Sequence, residues 1–187
     1  MKQVSRYHPL LVTLHWVLAV LITAALIIGS FWLAAMPNSD PQKIAVLRLH
    51  MAGGMLILAL MVIRFIVRMR TSRPAAATTG YPLLDRIAPI THYGFYVLVV
   101  LMVGTGYATG ILAGLPAIVF GGSGAPLPRT FNIYPTFVAH GYFAVLLVGF
   151  IALHVLAAFY HQFVRKDGLF RRMFFGRRVR NPSASVE

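Results

Sequence analysis

Four stretches of this chain stay apolar for longer than a strand or an ordinary core helix needs. They cover about residues 10–35, 44–67, 87–112 and 136–164. A helix needs roughly 20 such residues to cross the hydrocarbon core of a bilayer. Lipid offers backbone polar groups no partners, so runs of this kind span as helices. The expected fold is all-α: an integral membrane four-helix bundle, a single membrane-embedded domain over residues 1–187 with a basic tail over 165–187. Composition agrees, with 58% hydrophobic and 11% charged residues where a soluble domain carries about 25% charged. The first run follows two basic residues without a convincing small-residue cleavage site, so it reads as a retained helix rather than a signal peptide. No internal repeat is visible.

The net charge of +13 raises nucleic acid as a partner. The basic residues instead flank the apolar runs, and no nucleic-acid-binding motif is present, so the partner they imply is the lipid bilayer. Of the 17 Lys and Arg, only Lys43, Arg48 and Arg129 fall between spans one and two or between spans three and four, leaving 14 on the opposite side. The positive-inside rule places both termini in the cytoplasm. The tail segment RRMFFGRRVR reads first as a topology anchor and second as a contact for anionic lipid. The connection AGLPAIVFGGSGAPLPRTFNIYP, residues 113–135, is rich in Gly and Pro and is either a lid or binding loop or a passive connector.

Residues 140–154 read HGYFAVLLVGFIALH. Fourteen residues of helix span roughly 21 Å and leave the second ring about 40° around from the first. Both rings then point the same way at two depths of the membrane. The seven histidines sort by depth. His50 and His140 begin spans two and four on the outer side, His15 and His92 begin spans one and three on the cytoplasmic side, and His154 lies toward the cytoplasm on span four. His161 follows one heptad on, and His8 precedes span one. Intramembrane ionisable residues are costly and mark function by default. Holding haem iron between two imidazoles needs opposed rings at one depth on different helices. Counting gives His50 with His140 at the outer level. At the inner level His154 pairs with His15 or His92, the spacing favouring His15.

Other chemistries fit less well. With no cysteine, disulfides, thiolate iron–sulfur clusters and covalent haem attachment are excluded. Zinc would want four ligands in one place, and no H-x-x-x-H or carboxylate cluster occurs. The four acids, Asp40, Asp85, Asp167 and Glu187, fall outside the expected spans, which argues against a carboxylate relay in the membrane. Gly53 and Gly54, one turn after His50, would let a flat macrocycle approach the backbone or let helices pack closely. Arg48 would meet a propionate at the outer surface or act as an interfacial arginine.

The segments SRYHPLLVTLHW, LRLHMAGGMLILALMVIRFIVRMR, THYGFYVLVVLMVGTGY and AHGYFAVLLVGFIALHVLAAFYHQFVRKDGLFRRM together resemble the bacterial cytochrome b561 family of four-helix, di-haem membrane cytochromes. The resemblance runs from about residue 5 to 173 and is strongest to the superoxide-oxidising, ubiquinone-reducing members. It implies two haem b groups, His15, His50, His140 and His154 as iron ligands, and His92 as a non-ligand. It implies electrons entering from superoxide or another periplasmic donor at the outer haem and leaving to ubiquinone near the inner one. Lys43, Arg48 and Arg129 are the outer basic residues available to attract superoxide, opposed by Asp40 alone. His161 and Lys166 become candidates for the quinone pocket, with Arg86 at the same level. A second reading is a haem-bearing subunit that relays electrons between quinone and a partner redox protein such as a hydrogenase. A mere anchor is the weakest reading, because two haems across a bilayer form a wire that an anchor does not need.

The purified protein is expected to carry two haem b per chain, both released by acid acetone because no thiol holds them. A pyridine haemochrome assay per chain measures this; one haem or none would overturn the two-level reading.

Overall fold

The computed structural model describes residues 4–75 and 80–179, and every regular element among them is helical. Helix α1 spans Pro9–Ile27 and runs on as a π-helical turn over Ile28–Leu33. Helices α2 and α3 span Gln42–Arg70 and Pro82–Leu112. Helix α4 spans Pro135–Phe159 and again continues as π-helix, over Tyr160–Arg165. A short π-helical turn, Pro116–Phe120, separates α3 from α4, and a 3-10 turn, Phe170–Met173, follows α4. Four segments are long and apolar enough to cross a membrane: Pro9–Leu33, Gln42–Arg70, Asp85–Leu112 and Pro135–Arg165. All four expected spans are present. Lys2, Arg180, Glu187 and the rest of the tail beyond Val179 lie outside the described residues.

Local chemistry explains the boundaries. Pro9, Pro82 and Pro135 open their helices, at the position where a missing N–H costs nothing. His8 caps α1, its Nδ1 accepting from the Leu10 N–H at 3.3 Å. Helix α3 stops at Gly114, whose φ of +65° suits a left-handed helix end. Lys166 ends the π segment after α4 with φ 53°, an unusual conformation for a residue with a Cβ.

Helix α3 begins five residues before the apolar run that announces it. Asp85 lies in its first turn, where a carboxylate favours the helix dipole, and it opens the third membrane span. The expectation that no acid falls within a span is corrected for this residue, because Pro82 and Asp85 signal a helix start that a hydropathy window passes over. His92 consequently does not start a helix. It sits ten residues in, about 15 Å along the axis.

Helix α1 packs on α2, α2 on α3, and α3 on α4. Helix α4 faces α1 across a wider gap, bridged by histidine rings. Leu18, Ile57, Met61 and Val99 fill the middle of the bundle. Much of the remaining apolar surface points outward, as at Val20, Val145 and Leu153, which lipid accepts without penalty.

The two ends are finished differently. At the end away from the termini, Leu47, Ala113, Leu115, Val119, Leu127 and Phe131 form a compact cluster, with Val119 fully buried. Three polar ties hold it: Lys43 Nζ to the Met36 carbonyl at 2.6 Å, Arg48 Nε to the Val119 carbonyl at 2.8 Å and Asn38 Nδ2 to the Pro128 carbonyl at 2.6 Å. The 113–135 connection is thus neither a loose connector nor a free lid but a packed cap. At the opposite end the described tail folds back on the start of the chain. Arg6 Nη1 donates to the carbonyls of Arg171 and Phe174, Trp16 Nε1 to that of Met173, and Arg178 Nη2 to that of Ser72. The tail expected as a topology anchor is also a folded cover.

Leu115→Ala is expected to cost about 2–5 kcal/mol, the range for emptying a buried leucine site. Thermal melting in detergent should show a clear loss for this variant and little for Leu153→Ala, whose side chain faces lipid.

Candidate functional site

The structure brings six of the seven histidines to two levels and one rim. At the level far from the termini, His50 of α2 and His140 of α4 face each other with ring centroids 6.1 Å apart. At the level nearer the termini, His15 of α1 and His154 of α4 stand at the same separation, 6.1 Å. His92 of α3 joins this second level, its ring 5.6 Å from that of His154. The two levels are set by one helix, because His140 and His154 are fourteen residues apart on α4.

Each ring is oriented by its surroundings. His140 Nδ1 donates to the Met102 carbonyl at 2.9 Å, with the Thr105 hydroxyl at 3.5 Å. This fixes the tautomer and leaves Nε2 free, the arrangement that metal-bound imidazoles use. Thr105 spends its own hydroxyl hydrogen on the Leu101 carbonyl at 2.7 Å. His50 Nδ1 is buried with no hydrogen-bond partner in the protein, a state that costs about 1–3 kcal/mol if nothing else binds the ring. Two glycines make room. A Cβ on Gly29 would lie 3.2 Å from His50 Cε1, and one on Gly106 would lie 3.0 Å from His140 Cε1. Gly29 belongs to the π-helical turn after α1, a feature common at functional sites. His154 is flanked by Phe95 at 5.5 Å, and His15 by Trp16 at 5.2 Å.

These rings fit an iron held between imidazoles. A metal about 2 Å from each nitrogen puts the two centroids roughly 6 Å apart, and neither pair has a third His, Asp or Glu arranged to complete a bare metal site among the described residues. Gly53 and Gly54 have nothing within 4 Å of an added Cβ, so the face of α2 beyond His50 is open.

The remaining sequence candidates are distributed as follows. Lys43 is buried and Arg48 exposed, both tied to carbonyls as described, and Arg129 is exposed on the capping connection. Arg86 and Lys166 are exposed near the terminal end. His161 is not an open rim residue. It is buried, and its Nδ1 donates to Asp167 Oδ2 at 2.5 Å. Asp167 Oδ1 also accepts from the Leu169 N–H at 3.0 Å. Partial burial pushes the Asp167 carboxyl up, but the His161 hydrogen bond, the Leu169 amide and the charges of His161 and Arg172 outweigh it and hold the group below the ordinary carboxylate value. The regular α-helical phase expected from His154 to His161 is also broken, because the chain is π-helical from Tyr160 onward. Reading the sequence missed Gly29, Gly106 and Asp167. Asp167 lies only six residues after His161, while the two glycines carry no local signal at all.

A helical membrane bundle with facing histidines from different helices defines a membrane cytochrome of the b type. The chain belongs to the prokaryotic cytochrome b561 family, which matches residues 6–176, and with it comes haem b and a role in electron transfer. Among curated relatives, the chain is 26% identical over 176 residues to a probable superoxide oxidase CybB of Yersinia pestis, covering 90% of this chain and 96% of that one. It is 25% identical over 172 residues to cytochrome b561 homolog 2 of Escherichia coli K12, covering 90% and 91%.

Gly106→Val is expected to push the His140 ring from its seat, since even a Cβ there meets the ring at 3.0 Å. Haem per chain should fall while far-ultraviolet circular dichroism keeps its helical amplitude; unchanged haem content would show that the ring position does not matter for binding.

Proposed function

We propose that this chain is a di-haem superoxide:ubiquinone oxidoreductase of the bacterial inner membrane, with both termini in the cytoplasm. The single observation that carries the two-haem part is the repeated 6.1 Å ring separation at two levels. On this reading His50 and His140 hold the outer haem, and His15 and His154 the inner one. His92, with its ring 5.6 Å from that of His154, packs beside the inner pair, and the family resemblance leaves it a non-ligand. Bound haem supplies a one-electron iron couple at each level.

The residues do the rest. Lys43, Arg48 and Arg129 give the outer end a positive field against Asp40 alone, favouring approach of an anion such as superoxide. Lys43 and Arg48 are each tied to a carbonyl, and of the three it is Arg48 and Arg129 whose side chains are exposed to meet the anion. Two superoxide ions each give one electron and leave as oxygen. The two electrons and two protons from the cytoplasmic side convert ubiquinone to its quinol. His161 has Nδ1 engaged with Asp167, which leaves Nε2 for a quinone carbonyl or its proton. Lys166 and Arg86 lie toward the same end and offer charge-assisted hydrogen bonds to a reduced oxygen. The relative named as a probable superoxide oxidase favours superoxide as donor, and the 14 basic residues on the terminal side favour the orientation.

Stopped-flow mixing with superoxide should reduce the haems of the purified protein, and added ubiquinone should reoxidise them. In His161→Ala the first step should keep its rate while reoxidation slows at least tenfold. Haems that superoxide does not reduce would favour the relay for a partner redox protein. Normal reoxidation in His161→Ala would move the quinone away from this end.

A further inference from the structure

Arg64 enters the reading above only as one of the basic residues of the terminal side. It follows His50 by fourteen residues on α2, as His154 follows His140 on α4. The same arithmetic that stacks two rings on α4 therefore brings Arg64 to the level of the inner histidines, about 40° around from His50. His15, His92 and His154 share that level. Arg64 Nη1 donates at 2.7 Å to the Leu11 carbonyl, one turn ahead of His15 on α1, so the side chain reaches the adjacent helix α1. Among the described residues no carboxylate pairs with it. An arginine within a membrane span is costly, and its partner defines its use.

We propose that Arg64 is the fixed positive charge of the inner haem, holding that haem at a higher reduction potential than its ligands alone would set. Reduction adds one negative charge to the group, and where little water screens it, a nearby cation favours the reduced form. Electrons arriving from the outer level are thereby retained at the inner one. The inference rests on the two-level reading above.

Potentiometric titration of the purified protein tests it. Arg64→Gln keeps a donor for the Leu11 carbonyl and removes the charge, while Arg64→Lys keeps the charge. In the Gln variant, the component that is missing from His154→Ala should become at least tenfold harder to reduce, a shift of about 59 mV for one electron. The other component should stay in place, and the Lys variant should titrate like the parent. Loss of the inner haem in the Gln variant alone, with Lys retaining it, would also support a required charge. Unchanged potentials in the Gln variant, equal shifts in both variants, or loss of the haem from both would overturn the proposal in favour of a packing role. A parental protein with a single haem would sink the two-level reading itself, and the haem count registers that separately.

Discussion

A polar ring inside lipid must have somewhere to spend its hydrogen-bonding and ligating capacity, and the whole bundle is arranged around that demand. Water cannot reach the middle of the spans, so each imidazole needs protein or a bound group on both nitrogens. His140 shows one half of the solution: the Met102 carbonyl takes Nδ1 and leaves the other nitrogen committed across the bundle. His50 shows the other half, a buried nitrogen with no partner in the protein. The wider spacing between α1 and α4 follows from the same demand. Four helices packed evenly would leave no gap for a macrocycle, whereas here the close contacts run α1–α2, α2–α3 and α3–α4.

The two levels reach a similar ring separation by different means. The outer level is built by removing atoms: Gly29 and Gly106 back the two rings, and a side chain at either would displace them. The inner level is built by adding polarity, with His92 and Arg64 joining the pair. An outer site walled by bare backbone is defined by shape. An inner site ringed by titratable and charged groups is defined by its field. The asymmetry makes the two histidine levels chemically distinct.

What the sequence disclosed follows the reach of its signals. Hydropathy is averaged over a whole span, so the four spans and the helical class were legible, and the fourteen-residue spacing on α4 announced two levels because one helix carries both rings. The pairing of His50 with His140 followed from counting. The choice between His15 and His92 did not, since both rings stand against His154 at the same level. The glycines behind the rings were silent because their role lies between helices distant in sequence. The 113–135 cap was read as a loop because its Gly and Pro content describes its turns and not Val119, which the same segment buries completely. Lys43 looked like a surface charge, and only the fold reveals the Met36 carbonyl that receives it.

The folded tail has a consequence for how the protein is made. Arg6 precedes the first span and Trp16 lies within it, yet the carbonyls that satisfy them belong to residues 171–174, made after the fourth span. During synthesis the first helix must enter the bilayer with those donors still answered by water and lipid head groups. The start of the chain is therefore finished by its end. Until residues 171–174 have emerged and folded back, the nascent protein is a set of inserted helices whose terminal rim is open.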